Sequence, residues 1–530
     1  MSKRYQVIII GGGPVGVGLA VDLAMRGVSC ALVERRVGMH NIPRGQNLTQ
    51  RTLERFYFWG CVDELRAQRL LPVHVPAAGI TAYANLMSDY WHAFEGREAV
   101  GQYYFQKNDR MPQYLLEGVL RRKMETLPLV SQRFGWTAQT IDQDAKGVRV
   151  TIATEADDGA SEVLEADYLV GCDGGHSIVR EQAGIRRDGS DFDQVMMLAV
   201  FRSRELSEGL NKRYPVLSTY RVLNPELNGY WQFFGRIDPE VGWFFHAPVP
   251  ADTTRDNFDF AALLHKAAGF EFACDFDHVG FWDLRVAVAE RYRAGRVFIA
   301  GDAAHSHPPY GGFGLNNGLE DIANLGWKLA ANLQGQGGEA LLDSYDAERR
   351  PVFKQIGEEF IAARVAWEGE VINRHDPAKD PEAFKKDWAE IKTGAGPIIL
   401  NYEPNYEASS VVFGPPGGVT QARGDYMFRA RPGHHLAPAK LSSGRDVFEE
   451  LGFGFALLAF GASDADVAAF ESAARDLCLP LKIVRDAKDC GARVYESALI
   501  LVRPDQYVVW TGEAAPADAA AVLKKALGRA

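Results

Sequence analysis

The first 34 residues carry the pattern that most restricts the fold. An apolar run (Val7 to Ile10) leads into Gly11-Gly-Gly-Pro-Val-Gly16, and a helix with a periodic apolar face and a second apolar run ending at Glu34 follow. A strand, glycine turn, helix and strand within about 30 residues predict a βαβ unit of a doubly wound sheet. The fold class predicted is therefore α/β, beginning with a Rossmann-like unit.

The glycines of this turn have separate tasks if the unit binds a dinucleotide. Gly11 permits the tight turn, Gly13 lets the backbone approach a pyrophosphate, and Gly16 allows close helix–strand packing. Glu34 stands where an acid accepts hydrogen bonds from a ribose hydroxyl. An ordinary βαβ turn is the alternative, because a bare GxGxxG occurs by chance in a chain with 53 glycines among 530 residues.

Two later segments also consist of an apolar strand followed by a polar turn. Asp167-Tyr-Leu-Val-Gly-Cys-Asp-Gly-Gly-His-Ser-Ile-Val-Arg180 places Asp173 after an apolar strand. Gly295-Arg-Val-Phe-Ile-Ala-Gly-Asp302 does the same, and its Pro- and Gly-rich loop leads into a helix predicted to begin near Asn316. A carboxylate at a sheet edge beside a helix N-terminus suits a ligand with hydroxyls and negative charge.

Together the three segments resemble the single-component FAD-dependent aromatic hydroxylases, the para-hydroxybenzoate and phenol hydroxylase family, over residues 1–360. The resemblance implies bound FAD, with NADH or NADPH and O2 as co-substrates. It further implies that reduced flavin reacts with O2 to give a C4a-hydroperoxide, which hydroxylates a phenolic or related heteroaromatic ring. It assigns cofactor contacts to Gly11, Gly13, Pro14, Val15, Gly16, Glu34, Arg35, Arg44, Gln46, Gln113, Asp173, Gly301, Asp302, Pro309, Gly312, Gly314, Leu315 and Asn316.

The resemblance also implies the domain organisation. We predict a discontinuous FAD-binding domain (1–75, 110–180 and 285–400) and an inserted antiparallel sheet domain for the substrate (76–109 and 181–284). A linker (401–433) then leads to a thioredoxin-like α/β domain (434–530). The aromatic-rich inserts alternate apolar and polar residues, as strands with one buried face do.

The substrate-activating group is not fixed by the sequence. His246 lies in an aromatic strand and is a candidate acceptor for a phenol proton, although a buried structural histidine is the commoner reading. Tyr230 and Arg221 are candidates for shaping or polarising the pocket. Phe313 occupies a loop position that is basic or polar in many relatives, so a neutral, hydrophobic phenol is the expected substrate.

Bulk properties exclude several partners. A net charge of −11 argues against nucleic acid or an anionic membrane as partner. Met1 leads almost directly into the first strand, and six scattered cysteines show no metal spacing, so we expect a cytoplasmic protein with neither signal peptide nor metal. His305 and His307 resemble a metal pair, but the family motif accounts for His305 without one. By resemblance, a homodimer is expected.

Two other functions compete with aromatic hydroxylation. A flavin-dependent halogenase would share the FAD fold, but its WxWxIP signature is missing. A non-catalytic flavin-bearing interaction protein, with the C-terminal domain as its functional part, is the third reading.

Overall fold

The computed structural model describes residues 3–94, 96–154, 159–189, 194–283, 286–394, 400–487 and 493–529. The strands, in chain order, are β1 (Lys3–Ile10), β2 (Cys30–Glu34), β3 (Asn47–Leu48), β4 (Gly79–Tyr83), β5 (Trp91–Phe94), β6 (Asp109–Arg110), β7 (Val130–Phe134), β8 (Trp136–Asp144), β9 (Gly147–Thr154), β10 (Ser161–Gly171), β11 (Arg187–Gly189), β12 (Gln194–Arg202), β13 (Thr219–Leu223), β14 (Trp231–Arg236), β15 (Gly242–Pro250), β16 (Asp275–Asp283), β17 (Ala287–Ala289), β18 (Arg293–Ala294), β19 (Val297–Ile299), β20 (His305–Ser306), β21 (Tyr402–Tyr406), β22 (Thr420–Arg423), β23 (Phe455–Phe460), β24 (Leu481–Asp486), β25 (Leu499–Val502) and β26 (Val508–Gly512).

The α-helices are α1 (Pro14–Met25), α2 (Gln50–Phe58), α3 (Val62–Ala67), α4 (Gln113–Glu125), α5 (Ile178–Gln182), α6 (Arg204–Arg213), α7 (Phe260–Ala268), α8 (Gly314–Leu333), α9 (Glu339–Gln355), α10 (Ala363–Ile372), α11 (Pro381–Gly394), α12 (Val447–Glu450), α13 (Asp464–Asp476), α14 (Arg493–Tyr495) and α15 (Ala519–Ala526). Short 3-10 turns cover Arg97–Tyr103, Pro225–Leu227, Gly301–Ala303 and Tyr310–Gly312, and a π-helical segment covers Ile356–Ala362.

The first sheet is parallel at its centre, with strands in the order β19-β10-β1-β2-β7. Its inner strands are apolar along their length because helices cover both faces. Helix α1 is accordingly buried on nearly every side and packs on α8. The carboxyl ends of β1, β10 and β19 lead into the three polar turns noted in the sequence, which therefore meet at one edge of the sheet.

The second sheet has the order β16-β12-β15-β14-β13-β4-β5. Neighbouring strands are antiparallel except for β13 and β4, which join distant parts of the chain in parallel. The aromatic-rich inserts thus form one sheet, as the alternating pattern predicts. One face packs on α6 and α7 through an apolar core, and the other faces the second and third polar turns.

The C-terminal residues form a third unit around the sheet β24-β23-β25-β26, whose core side chains pack against α13 and α15. The predicted α/β fold class with an inserted sheet and a C-terminal α/β unit is confirmed. The domain boundaries stay predictions. The segment predicted as a linker contains the paired strands β21 and β22, and Tyr406 there is fully buried.

Helices that combine the length and apolar character needed to span a lipid bilayer are absent from the part of the chain that the structure describes.

Candidate active site

The glycine turn after β1 leaves no room for a side chain at Gly11, Gly12 or Gly16; at Gly12 an added Cβ would lie 2.6 Å from the Cβ of Glu34. Gly11 has a φ of 106°, and a Cβ there would overlap the carbonyl group of Cys172 at the end of β10. A Cβ on Gly16 would overlap the carbonyl oxygen of Gly11. Gly13 is different: no heavy atom lies within 4 Å of the position of its Cβ, so the turn presents bare backbone to open space there.

Pro14 is the first residue of α1, and its fixed φ suits that position. Val15 packs against the Gly301 loop, where a Cβ would lie 3.1 Å from a Val15 methyl carbon. The first and third polar turns are therefore in direct contact.

Glu34, at the end of β2, contacts the glycine turn that follows β1. Its carboxylate accepts hydrogen bonds from the backbone N–H groups of Gly12 (2.6 Å) and Arg36 (2.9 Å). Arg35 is exposed beside it. Glu34 thus holds the glycine turn in place, and its contact to a ribose stays a prediction.

Asp173 is engaged within its own turn. Its carboxylate accepts hydrogen bonds from the Ser177 hydroxyl (2.5 Å) and the Val179 N–H (3.2 Å) at the start of α5, and burial raises its pKa. Gly175 and His176, rather than Asp173, line the large cavity described below. The structure therefore places Asp173 as a brace of the second turn.

The third turn is anchored by Asp321, a buried acid on α8 that the sequence analysis missed. Its carboxylate accepts from the Gly301 N–H (3.0 Å) and Arg349 Nε (2.8 Å), and it lies 2.6 Å from His305 Nε2. Burial raises its pKa, but His305 and Arg349 outweigh burial and hold the pKa at about 2. A charged residue inside the apolar run of α8 was the signal available in the sequence.

Asp302 faces into the large cavity. Enclosure by protein raises its pKa, and His305, Arg187 and Arg44 act in the opposite direction. Since Asp321 fixes the neighbouring Gly301, the Asp302 carboxylate is held at the sheet edge.

Helix α8 begins at Gly314, two residues before the predicted Asn316, and no side chain caps it. The first N–H groups of a helix have no intrahelical acceptor, so Gly314, Leu315 and Asn316 present donors at its positive end. The Asn316 side chain locks the loop by donating to the carbonyls of Asn47 (2.8 Å) and Gly312 (2.6 Å).

A cavity of about 850 Å³ connects the second and third turns and the start of α8 with the second sheet. Among the residues predicted to contact the cofactor, it is lined by Arg44, Gln46, Gln113, Asp302, Pro309, Gly312, Gly314 and Leu315. The remaining predicted cofactor residues do not line it: Gly11, Gly13, Pro14, Val15, Gly16, Glu34, Arg35, Asp173, Gly301 and Asn316.

These residues fit FAD. The glycine turn offers bare backbone at Gly13, the uncapped α8 offers N–H donors, and the buried Gln46 Nε2 makes no hydrogen bond to any described residue. The cavity wall is also basic, because Arg44, Arg97, Arg110 and Arg187 outnumber Asp109 and Asp302 even when Arg221 and Arg364, which pair with the buried Glu368, are left aside. Such a wall complements a diphosphate and a negatively charged reduced ring.

The opposite wall is one row of residues running across the second sheet. Cross-strand pairing joins, in order, His92, Thr81, Arg221, Phe233, His246, Leu198 and Gly280. Directly paired residues point to the same face of a sheet, and all of these except His92 line the cavity. We call this set the transverse row.

His246 sits in the middle of the transverse row among aromatic rings. Its ring centroid lies 4.8 Å from Phe233, 5.3 Å from Phe244 and 5.2 Å from Trp282. Burial lowers its pKa to about 3, against a weaker opposing effect of the Met197 backbone, so the imidazole is neutral at neutral pH. Its buried Nδ1 makes no hydrogen bond to any described residue.

The other two catalytic candidates are placed differently. Arg221 lines the cavity, but it is paired with the buried Glu368 (3.1 Å) and lies 4.0 Å over the ring of Trp231. It is therefore a buried ion-pair partner. Tyr230 does not line the cavity; it packs against Tyr310, which does.

Phe313 packs beneath Arg97, whose guanidinium carbon lies 5.2 Å from the ring centroid and which also lines the cavity. A cation from another segment thus lies beside this loop position. The neutral substrate expected from Phe313 stays a prediction.

The lowered pKa of His246 predicts a pH dependence of stability. The unfolded histidine binds a proton near pH 6.5 and the folded one only near pH 3, so stability is full above pH 6.5 and falls as the pH drops below it. Between pH 7 and pH 4.5 this amounts to roughly 2–3 kcal/mol. His246→Phe should therefore lose less melting temperature over that interval than the wild type. The exposed His74→Gln is the control, and equal slopes for His246→Phe and wild type would refute the assignment.

Comparison with known proteins agrees with this site. A family model described as FAD binding domain matches residues 4–359, and one described as aromatic-ring hydroxylase, C-terminal, matches residues 429–530. The 4-methyl-5-nitrocatechol 5-monooxygenase of a Burkholderia species is 30% identical over 99% of this chain and 97% of its own length. The tetracenomycin A2 monooxygenase-dioxygenase of Streptomyces glaucescens is 29% identical over 100% and 97%.

Solved structures show the same fold over whole chains. The flavin-dependent monooxygenase PieE, in complex with FAD and substrate, superposes with a TM-score of 0.85 at 27% identity, and aklavinone-11 hydroxylase with FAD and aklavinone with 0.80 at 26%. Each covers 100% of both chains. The chain belongs to the FAD-binding aromatic-ring hydroxylase family and is an FAD-dependent monooxygenase of aromatic compounds. These relatives favour that expectation over the halogenase and non-catalytic alternatives.

Proposed function

We propose that this protein hydroxylates a phenolic ring bound between the flavin loop and the transverse row, with NADH or NADPH as reductant. The balanced reaction converts a ring C–H, O2, NAD(P)H and a proton into a ring C–OH, water and NAD(P)+. FAD, when bound, accepts the hydride and activates the oxygen. The observation that carries the proposal is one cavity lined both by eight of the predicted cofactor residues and by the aromatic wall around His246.

The cofactor roles follow from where each group lies. Asp302 would accept hydrogen bonds from the ribityl hydroxyls, and the bare backbone at Gly13 would approach the pyrophosphate. Arg44, Gln46 and Gln113 line the same cavity as Asp302 and would also contact the cofactor. The N–H groups of Leu315 and Asn316, at the positive end of α8, would stabilise negative charge on the reduced ring, as an oxyanion hole does.

The substrate roles centre on His246. A neutral imidazole with an unused Nδ1 can accept a hydrogen bond from a phenol hydroxyl. Sharing that proton raises the electron density of the ring, which favours attack by an electrophilic oxygen. Arg221 would act with Glu368 to hold Trp231 in the wall, and Tyr230 would act through Tyr310.

Substrate-stimulated oxidation of NADH or NADPH tests the proposal. The purified protein with FAD is assayed against a panel of phenols, catechols and fused-ring phenols, while O2 uptake and product mass are followed under 18O2. We expect at least one phenol to accelerate nicotinamide oxidation and to gain one labelled oxygen atom. Unstimulated oxidation across the panel, or stimulation that yields only hydrogen peroxide, would contradict it.

The expected homodimer in the cytoplasm is part of the same proposal. It rests on the family resemblance and on the scattered cysteines. Light scattering after gel filtration should give twice the chain mass of 58.5 kDa, and a monomer at micromolar concentration would contradict the dimer.

A further inference from the structure

A short turn of the C-terminal unit is buried between helices of the FAD-binding part. Residues 503–507 connect β25 to β26, and Arg503, Asp505 and Gln506 are each 1% exposed. Arg503 forms a two-point ion pair with Asp505, with N···O distances of 2.8 and 2.6 Å. Its remaining donors reach Glu348 on α9 at 2.8 and 2.9 Å. We call residues 503–507 the clamp turn.

Glu348 connects the clamp turn to α8. Besides Arg503, its carboxylate accepts hydrogen bonds from Lys328 Nζ (2.7 Å) and Asn324 Nδ2 (2.6 Å), both on α8, and from the Ser409 hydroxyl (2.5 Å). Burial raises the pKa of Glu348, but Arg503 and Lys328 outweigh it and keep the pKa well below its usual range. Buried charges persist only when they are paired in this way, so the clamp turn and α8 are held at a fixed separation.

The clamp turn also holds α2. The backbone carbonyl of Asp505 accepts hydrogen bonds from Arg51 Nη2 (3.0 Å) and Arg55 Nη2 (3.2 Å). At the N-terminal end of the same helix, the Thr49 N–H and the Thr52 hydroxyl donate to Asn316 Oδ1 at 2.9 and 2.7 Å. Helices α2 and α8 therefore meet at Asn316. The clamp turn contacts α2 through Arg51 and Arg55, and α8 through Trp327, whose ring centroid lies 5.3 Å from the Arg503 guanidinium carbon.

Arg349, next to Glu348 on α9, connects the clamp turn to Gly301 and to the first turn of α8. It donates to Asp321, which fixes Gly301, and to the Asn317 carbonyl group (3.3 Å) in the first turn of α8. It also donates to the Tyr406 hydroxyl (3.1 Å), whose ring stacks on Tyr507 of the clamp turn at 4.4 Å.

We propose that the clamp turn of the C-terminal unit is a positioning element of the FAD site, with Arg503 and Asp505 fixing the start of α8 against the cofactor. The electrostatic effect of a helix end falls off within about one turn. A small displacement of Gly314, Leu315 and Asn316 would therefore weaken binding of the more negative, reduced form of FAD most. This inference rests on FAD binding alone and is independent of which aromatic substrate is hydroxylated.

Asp505→Asn and Arg503→Lys test it in the full-length protein. Asp505→Asn keeps the side-chain shape and the backbone carbonyl but removes the negative charge. Arg503→Lys keeps the positive charge but lacks the planar guanidinium group that forms paired hydrogen bonds to a carboxylate. We expect the reduced cofactor to bind about tenfold more weakly relative to the oxidised one. That change lowers the two-electron midpoint potential by about 30 mV. The measurements are the midpoint potential by dye equilibration and the FAD dissociation constant.

A matched control separates positioning from stability. Phe470→Leu opens space in the C-terminal core, on α13, without touching the clamp turn. Ser409→Ala removes one hydrogen bond to Glu348 and is the mild variant if the charged ones fail to fold. Clamp variants and Ser409→Ala should shift the potential, whereas Phe470→Leu should lower only the melting temperature. If all variants lose melting temperature while potential and FAD affinity stay at wild-type values, the clamp turn is structural only and the proposal is wrong.

Discussion

Asp302→Ala is expected to purify with little or no flavin, as a folded but nearly colourless protein. The carboxylate faces the cavity at the edge where three strand ends meet, and its neighbour Gly301 is fixed by Asp321. Loss of charge-assisted hydrogen bonds to the ribityl chain should weaken FAD binding about ten- to a hundredfold. The dissociation constant is measured by titrating the flavin-free protein with FAD and following flavin fluorescence.

Two variants control this experiment. Asp343→Ala removes an exposed carboxylate that pairs with Arg293 (2.6 Å) outside the cavity, so it should leave FAD affinity unchanged. Asp302→Asn keeps the shape and part of the hydrogen bonding, so its FAD affinity should lie between those of the wild type and Asp302→Ala. Full retention of yellow flavin by Asp302→Ala would refute the role assigned to Asp302.

Gly16→Ala and Gly13→Ala are expected to fail in different ways. A methyl group on Gly16 overlaps the Gly11 carbonyl oxygen, so the turn and α1 must move apart and the fold itself loses stability. Overpacking of this kind costs about 1–3 kcal/mol or more. A methyl group on Gly13 meets no protein atom, so the flavin-free fold should keep its melting temperature while FAD affinity falls.

Melting temperature without FAD and FAD affinity are therefore measured for both variants. We expect Gly16→Ala to lower both quantities and Gly13→Ala to lower affinity alone. A Gly13→Ala protein with wild-type affinity would show that the cofactor does not approach this part of the backbone.

The parts of the site that could be predicted from the sequence are those determined by residues close together in the chain. Gly11 and Gly16 are required by contacts within a few residues or to the adjacent strand, and Asp302 directly follows a recognisable strand. The apolar runs and glycine turns likewise predict the α/β fold class. Helix α8 begins at Gly314, two residues before the predicted start, because the glycines of the preceding loop give no clear signal for where the helix begins.

The rest depends on tertiary pairing. The transverse row exists because β4, near residue 80, pairs with β13, near residue 220, and no local pattern encodes that register. His246 was noted, but its position beside Phe233 and its neutral state follow only from the assembled sheet. The clamp turn could not be predicted either, because Glu348, the buried partner of Arg503, lies 155 positions away in the chain.

Stoichiometric retention of FAD is the decisive measurement for the proposed cofactor site. The protein is incubated with excess FAD, passed through a desalting column, and its visible absorption spectrum is compared with its concentration. We expect about one flavin per chain, with a spectrum that changes saturably when a phenol is added. A desalted protein without a flavin band would contradict it.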